Sequence, residues 1–120
     1  MWILPYMLEL LTTQERVVRI SDMPAVQLVS TRIVYSETAF AELVLWRLPK
    51  PLKGSPHGFK YRLAYVVGGE CVLRYDNEAG KGDHRHFGGS ERAYRFTTPD
   101  KLIADFQSDI ERWNHENRDT

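Results

Sequence analysis

The stretch Phe59–Glu78 admits few folds. Phe59, Tyr61, Leu63, Tyr65 and Val67 alternate with Lys60, Arg62, Ala64 and Val66. That two-residue period belongs to a strand with one apolar face. Gly68-Gly69 breaks the run and Cys71-Val72-Leu73-Arg74-Tyr75-Asp76 resumes it, so the segment reads as a β-hairpin. Chemistry chooses its register. A two-residue Gly-Gly turn sets Leu63 opposite Arg74 and Tyr61 opposite Asp76, which puts charge on the greasy face. A three-residue loop, Gly68-Gly69-Glu70, moves the pairing by one. Tyr65 then faces Leu73, Leu63 faces Tyr75, Arg62 meets Asp76 and Lys60 meets Glu78. Because a one-residue slip turns every side chain to the other face, the second register is expected. One face of the hairpin is then apolar, with Cys71 expected on it as a buried thiol. The other carries Lys60, Arg62, Arg74, Asp76 and Glu78 near its open end.

The flanking segments supply the remaining elements. Thr31–Tyr35 is rich in β-branched and aromatic residues, the composition of a strand. Phe40–Leu48 runs apolar on both faces apart from Glu42 and Arg47, as a central strand does. Pro49, Pro51, Gly54, Pro56 and Gly58 mark a long loop, and Ala79–Gly89 reads as a glycine-rich polar loop. Tyr94-Arg95-Phe96 can add a short strand. Thr98 is a suitable N-cap with Pro99 at the first helical position. Leu102, Ile103, Phe106, Ile110 and Trp113 then share one helix face, with Asp105, Asp109, Arg112 and Glu116 elsewhere on its surface. The expected architecture is α+β: an antiparallel β-sheet of four to five strands, from about Val26 to Phe96, with a C-terminal amphipathic helix packed on one face. The apolar hairpin face should meet the helix, and the opposite face and the glycine-rich loop should form the site.

A chain of 120 residues has room for one such domain. Residues 1–22 look unlike the rest, with weak helical periodicity interrupted at Thr12-Thr13. Two readings are open: a peripheral helix or strand, or an extension upstream of a start at Met23. The expected division is an N-terminal extension over 1–22 and a single domain over 23–120. A single cysteine excludes an intramolecular disulfide framework and a multi-cysteine metal site. It suits a reducing cytoplasm. No stretch approaches the roughly 20 apolar residues of a membrane span. The N-terminus lacks the basic segment and cleavage site of a signal peptide.

Sixteen basic residues balance sixteen acidic ones, which excludes a generic polycation. Their distribution is uneven. Arg47–Thr98 holds ten basic and five acidic residues, while both flanks are net acidic. A localised anion-binding surface and a chance fluctuation account for this equally well.

The densest group of chemically capable residues is Asp76-Asn77-Glu78 with Lys81, Asp83, His84, Arg85 and His86. Three chemistries fit it, beside the plain alternative of a solvated loop whose charges pair with one another. The first is metal-independent RNA cleavage, which needs a base for the 2′-hydroxyl proton, an acid for the leaving oxygen and cations for the phosphorane charge. His84 and His86 would be acid and base, supported by Asp76 and Lys81. Lys60, Arg62, Arg74 and Arg85 would bind phosphate. No cofactor is required. The second is a divalent-metal site, because His84-x-His86 sets two imidazoles on one side of an extended chain. Asp76, Glu78 or Asp83 would complete it. The third is phosphate binding without chemistry. Gly80-Lys81-Gly82 lacks the Walker pattern, so ATP hydrolysis is poorly supported. His57, His115, Trp46, Trp113 and Tyr94 read as surface or core residues.

Lys60-Tyr61-Arg62, the run Tyr75–His86, Tyr94-Arg95-Phe96 and a helix carrying Asp105-Phe106 resemble the TumE-type family of prokaryotic toxin–antitoxin toxins. The resemblance covers roughly Met23 to Trp113. Its most specific parts are Asp76-Asn77 and the following His84-x-His86. Gly80-Lys81-Gly82-Asp83 departs from the His- and Pro-rich stretch of other members. The resemblance implies a small toxin neutralised by a protein antitoxin, often a helix-turn-helix protein, and implies no particular reaction. An RNA-cleaving toxin, a possible ribonuclease with RNA as its target, is the expectation. The alternatives are a non-catalytic nucleic-acid- or partner-binding module, and a metal-dependent nuclease using Asp76, Asp83, His84 and His86.

Overall fold

The computed structural model describes residues 16–20 and 23–118. Seven strands run in chain order: β1 (Arg16–Ile20), β2 (Met23–Val34), β3 (Ala39–Arg47), β4 (Phe59–Val67), β5 (Glu70–Glu78), β6 (Gly82–Phe87) and β7 (Ser90–Ala93). One helix, α1 (Pro99–Asn117), follows. The strands form a single sheet in sequential order, each pairing antiparallel with the next. The α+β class is as expected, but the described residues hold seven strands rather than four to five.

The additional strands have identifiable causes. Arg16–Ile20 pairs along the first half of β2. The rest of the expected N-terminal extension, residues 1–15 and 21–22, lies outside the described residues. The glycine-rich segment is not a loop throughout, because its middle is β6. This strand escapes a hydrophobicity pattern since its helix-facing side chains are Asp83 and Arg85, both satisfied by distant partners. The following strand is Ser90–Ala93, whereas residues 94–98 are irregular.

The β4–β5 register is the expected one, with Tyr65 opposite Leu73, Leu63 opposite Tyr75 and Arg62 opposite Asp76. It is reached differently. Val67 pairs with Glu70 across a two-residue turn, in which Gly68 (φ 58°) and Gly69 (φ 83°) both adopt positive φ. Such a turn matches strand twist. A bulge between Val66–Cys71 and Tyr65–Leu73 then absorbs Val72 and restores the pairing. The bulge also turns Val72 inward, and Cys71 is exposed rather than buried.

The core lies between α1 and one face of the sheet. Ala41, Leu43, Leu45, Tyr61, Leu63, Tyr65, Leu73 and Tyr75 meet Leu102, Ile103, Phe106 and Ile110. Each fully buried side chain of this size contributes about 1.5–3 kcal/mol of transfer free energy. Thr98 caps α1, its Oγ1 accepting from the Lys101 N–H at 3.1 Å, and Pro99 takes the first turn. Asp109 departs from expectation. It is buried, with 6% of its surface accessible, and faces the sheet.

Candidate functional site

The side chains of β6 sort by parity, and this organises the site. Asp83, Arg85 and Phe87 point toward α1, while His84 and His86 point to the uncovered face.

On the helix side, every polar group is paired. Asp83 accepts from Ser55 Oγ at 2.7 Å and from Tyr61 OH at 2.7 Å, and its Oδ2 lies 2.6 Å from His57 Nε2. His57 Nδ1 accepts from the Phe59 N–H at 3.1 Å, so Nε2 is the nitrogen that donates to Asp83. The ring also stacks on Phe96, with centroids 3.9 Å apart. Both nitrogens of His57 are therefore engaged. Asn77 is fully buried and acts as a substitute peptide group. Its Oδ1 accepts from the Tyr61 N–H at 3.0 Å, and its Nδ2 donates to the Phe59 carbonyl at 2.8 Å. This extends the β4–β5 ladder by one rung. Arg85 donates to Asp109 from Nε (2.7 Å) and Nη2 (2.9 Å), and to Tyr75 OH (2.9 Å).

Carboxylates also accept from three tyrosines: Tyr61 to Asp83, Tyr75 to Asp109 (2.7 Å) and Tyr94 to Asp105 (2.6 Å). Burial first, and then the neighbouring carboxylate, raises all three phenols above their ordinary range. The hydrogen bond to Asp109 holds the Arg85 guanidinium firmly in its charged form.

The uncovered face is built differently. Across the strands, Val44, Arg62, Asp76 and His84 form one row, and Ala64, Arg74, His86 and Glu91 form the next. Arg74 links the rows. Its Nη2 lies 3.1 Å from His86 Nε2, and its Nε lies 3.3 Å from Asp76 Oδ2 in an ion pair too poorly aligned to count as a hydrogen bond. His84 Nε2 donates to the Lys81 carbonyl at 2.8 Å. The His84 and His86 side chains keep 25% and 24% of their surface accessible. Lys60 donates to the Asn77 carbonyl. Burial holds its ammonium below the ordinary lysine range, against the pull of Asp76 and Glu78. Lys81 is exposed in the β5–β6 turn, 3.9 Å from Glu78. Arg62 is exposed.

Of the residues singled out in the sequence, His84, His86, Asp76, Lys60, Arg62 and Arg74 thus share one face, with Lys81 at its edge. Arg85 does not join them. It is consumed by Asp109 on the helix side and is not a phosphate ligand. Asp83 lies on that same side, so the set Asp76, Asp83, His84 and His86 does not converge on one point. Among the described residues no three His, Cys, Asp or Glu side chains form a metal-ligating group. Glu91 was missed. Its Oε2 lies 3.4 Å from both His84 Nδ1 and His86 Nε2. Only the β6–β7 pairing, which sets it beside His86, could have found it.

Architecture and site together define an α+β protein whose helix covers one side of an antiparallel sheet and whose titratable residues cluster on the other. The family model described as Toxin TumE matches residues 7–114, so the chain belongs to the TumE toxin family. Membership implies a toxin of a toxin–antitoxin system, with an antitoxin as its partner. The match begins well before Met23 and takes in β1. Comparisons with curated proteins and with solved structures found no significant match. No helix among the described residues is long and apolar enough to cross a membrane.

Proposed function

We propose that this toxin acts on RNA by phosphodiester cleavage on the uncovered sheet face, with His84 and His86 as acid and base. The observation that carries the reading is the placement of both imidazoles beside Arg74 and Arg62 on a face that α1 leaves open. General acid–base cleavage needs two proton-transfer groups and cations for the phosphorane. Arg62, Arg74 and Lys60 supply the cations, Asp76 orients Arg74, and Lys81 stands where the strand of RNA would enter. No step requires a metal. The antitoxin is proposed to be a helix-turn-helix protein, and the site of action the cytoplasm.

A second reading rests on the same face. Its mixed charge and half-buried Trp46 and Val44 also suit a surface that binds nucleic acid or a partner without chemistry. An RNA cleavage assay on wild type, His84→Ala and His86→Ala, each with and without a chelator, separates the two. Cleavage lost in both variants while RNA binding persists is the expected result. Full cleavage by both variants overturns the assignment. Binding without cleavage by wild type favours the non-catalytic reading, and loss on chelation moves the chemistry to a metal.

A further inference from the structure

We propose that Glu91 is a positioning residue that holds a second proton on His84 while His86 stays neutral, so that acid and base differ before substrate arrives. The inference rests on the acid–base reading of the face, but its test requires no cleavage.

The assignment follows from what each nitrogen meets. His84 Nε2 lies 2.8 Å from the Lys81 carbonyl. A carbonyl only accepts, so Nε2 carries hydrogen. The other nitrogen, Nδ1, is buried without a hydrogen-bond partner and faces Glu91 Oε2 at 3.4 Å. In a neutral ring that nitrogen would direct a lone pair at a carboxylate. A second proton turns the contact into an attractive one. His86 is the reverse case. Its Nε2 lies 3.1 Å from Arg74 Nη2. A guanidinium only donates, so this nitrogen holds a lone pair and the ring is neutral. Protonating it would forfeit that bond and set two cations together.

The surrounding charges permit one imidazolium and disfavour two. Arg74 and Asp76 face the pair from β5, Arg62 from β4, Glu78 and Lys81 from the turn, and Glu91 and Arg92 from β7. Asp76 is already engaged by Arg74. Glu91 remains as the one carboxylate oxygen within 3.4 Å of either imidazole, and it compensates a single positive ring.

The arrangement suits the proposed reaction. A substrate phosphate would draw Arg74 away and uncover His86 Nε2, which takes the 2′-hydroxyl proton. The 2′-oxygen bonds to phosphorus, the bond from phosphorus to the 5′-oxygen breaks, and His84 protonates that oxygen. The products are a 2′,3′-cyclic phosphate and a 5′-hydroxyl. His86 is left charged and His84 neutral, and exchange with water restores both.

The test is nitrogen-detected NMR of the imidazoles in the full chain and in Glu91→Gln, without RNA, as pH is lowered. His84 should take its second proton first, and His86 should show its single proton on Nδ1. In Glu91→Gln the difference in proton affinity should shrink by about tenfold, one pH unit. His86 titrating first, or an unchanged difference in Glu91→Gln, overturns the proposal. Wild type that shows the expected order yet cleaves no RNA refutes the functional reading and leaves the proton assignment standing. If wild type cleaves, the acid limb of its pH–rate profile should move in Glu91→Gln.

Discussion

Arg85 and Asp109 form a two-pronged ion pair, at 2.7 and 2.9 Å, that ties strand β6 to the helix across the core. The same strand presents His84 and His86 on its other side. The pair therefore sets the rotation of β6, and with it the direction of both imidazoles.

Asp109→Ala should be strongly destabilising. It leaves the Arg85 guanidinium, with 19% of its side chain accessible, without its carboxylate and removes the acceptor of Tyr75. Breaking one side of a buried pair costs about 3–5 kcal/mol, and the residual exposure places this case near the lower figure. The double variant Arg85→Met, Asp109→Leu removes both charges and should lose less. Urea denaturation of the three proteins checks the order.

Stability should fall as pH rises above about 10, the ordinary phenol value. Tyr61, Tyr75 and Tyr94 are raised above it in the folded chain. The native state then binds more protons than the unfolded one, so their contribution is complete below that pH and is lost above it. Absorbance titration should show these three phenols ionising only together with unfolding. Early ionisation of all six tyrosines, with the fold intact, would contradict the three Tyr–Asp hydrogen bonds.

We expect deletion of residues 1–22 to leave a folded domain, because the main core cluster begins at Val29. The deletion removes β1 and bares the edge of β2, so solubility should drop more than cooperativity. Loss of a cooperative thermal transition would show that these residues are integral.

The antitoxin is expected to cover the uncovered face. Association should slow as salt rises, and Lys81→Glu or Arg62→Glu should weaken binding. The competing surface is the outer side of α1, where Glu111 and Glu116 are exposed. Binding sensitive to reversal of those two, and indifferent to Lys81 and Arg62, would place the antitoxin there.

Local pattern alone determined a good deal. Period-two alternation and the requirement that charge stay off the apolar face were enough to pair Arg62 with Asp76. Thr98-Pro99 marked the helix start, and the His-x-His spacing put both imidazoles on one side. These features depend on neighbours along the chain or across one tight turn. The tertiary structure decided the rest. A bulge at Val72 permitted a two-residue turn where the register alone implied three, and it moved Cys71 to the surface. Strand β6 has charged residues facing inward, which no hydrophobic pattern marks as a strand. Their burial is tolerable only because Asp109 arrives from the helix, and Ser55, His57 and Tyr61 from a loop and another strand. Those partners are 24 to 28 residues away from the groups they satisfy, apart from Tyr61 at 22. A buried charge is stabilised by whatever the fold brings within hydrogen-bond reach, and that proximity is a property of the packed chain, not of any segment in it.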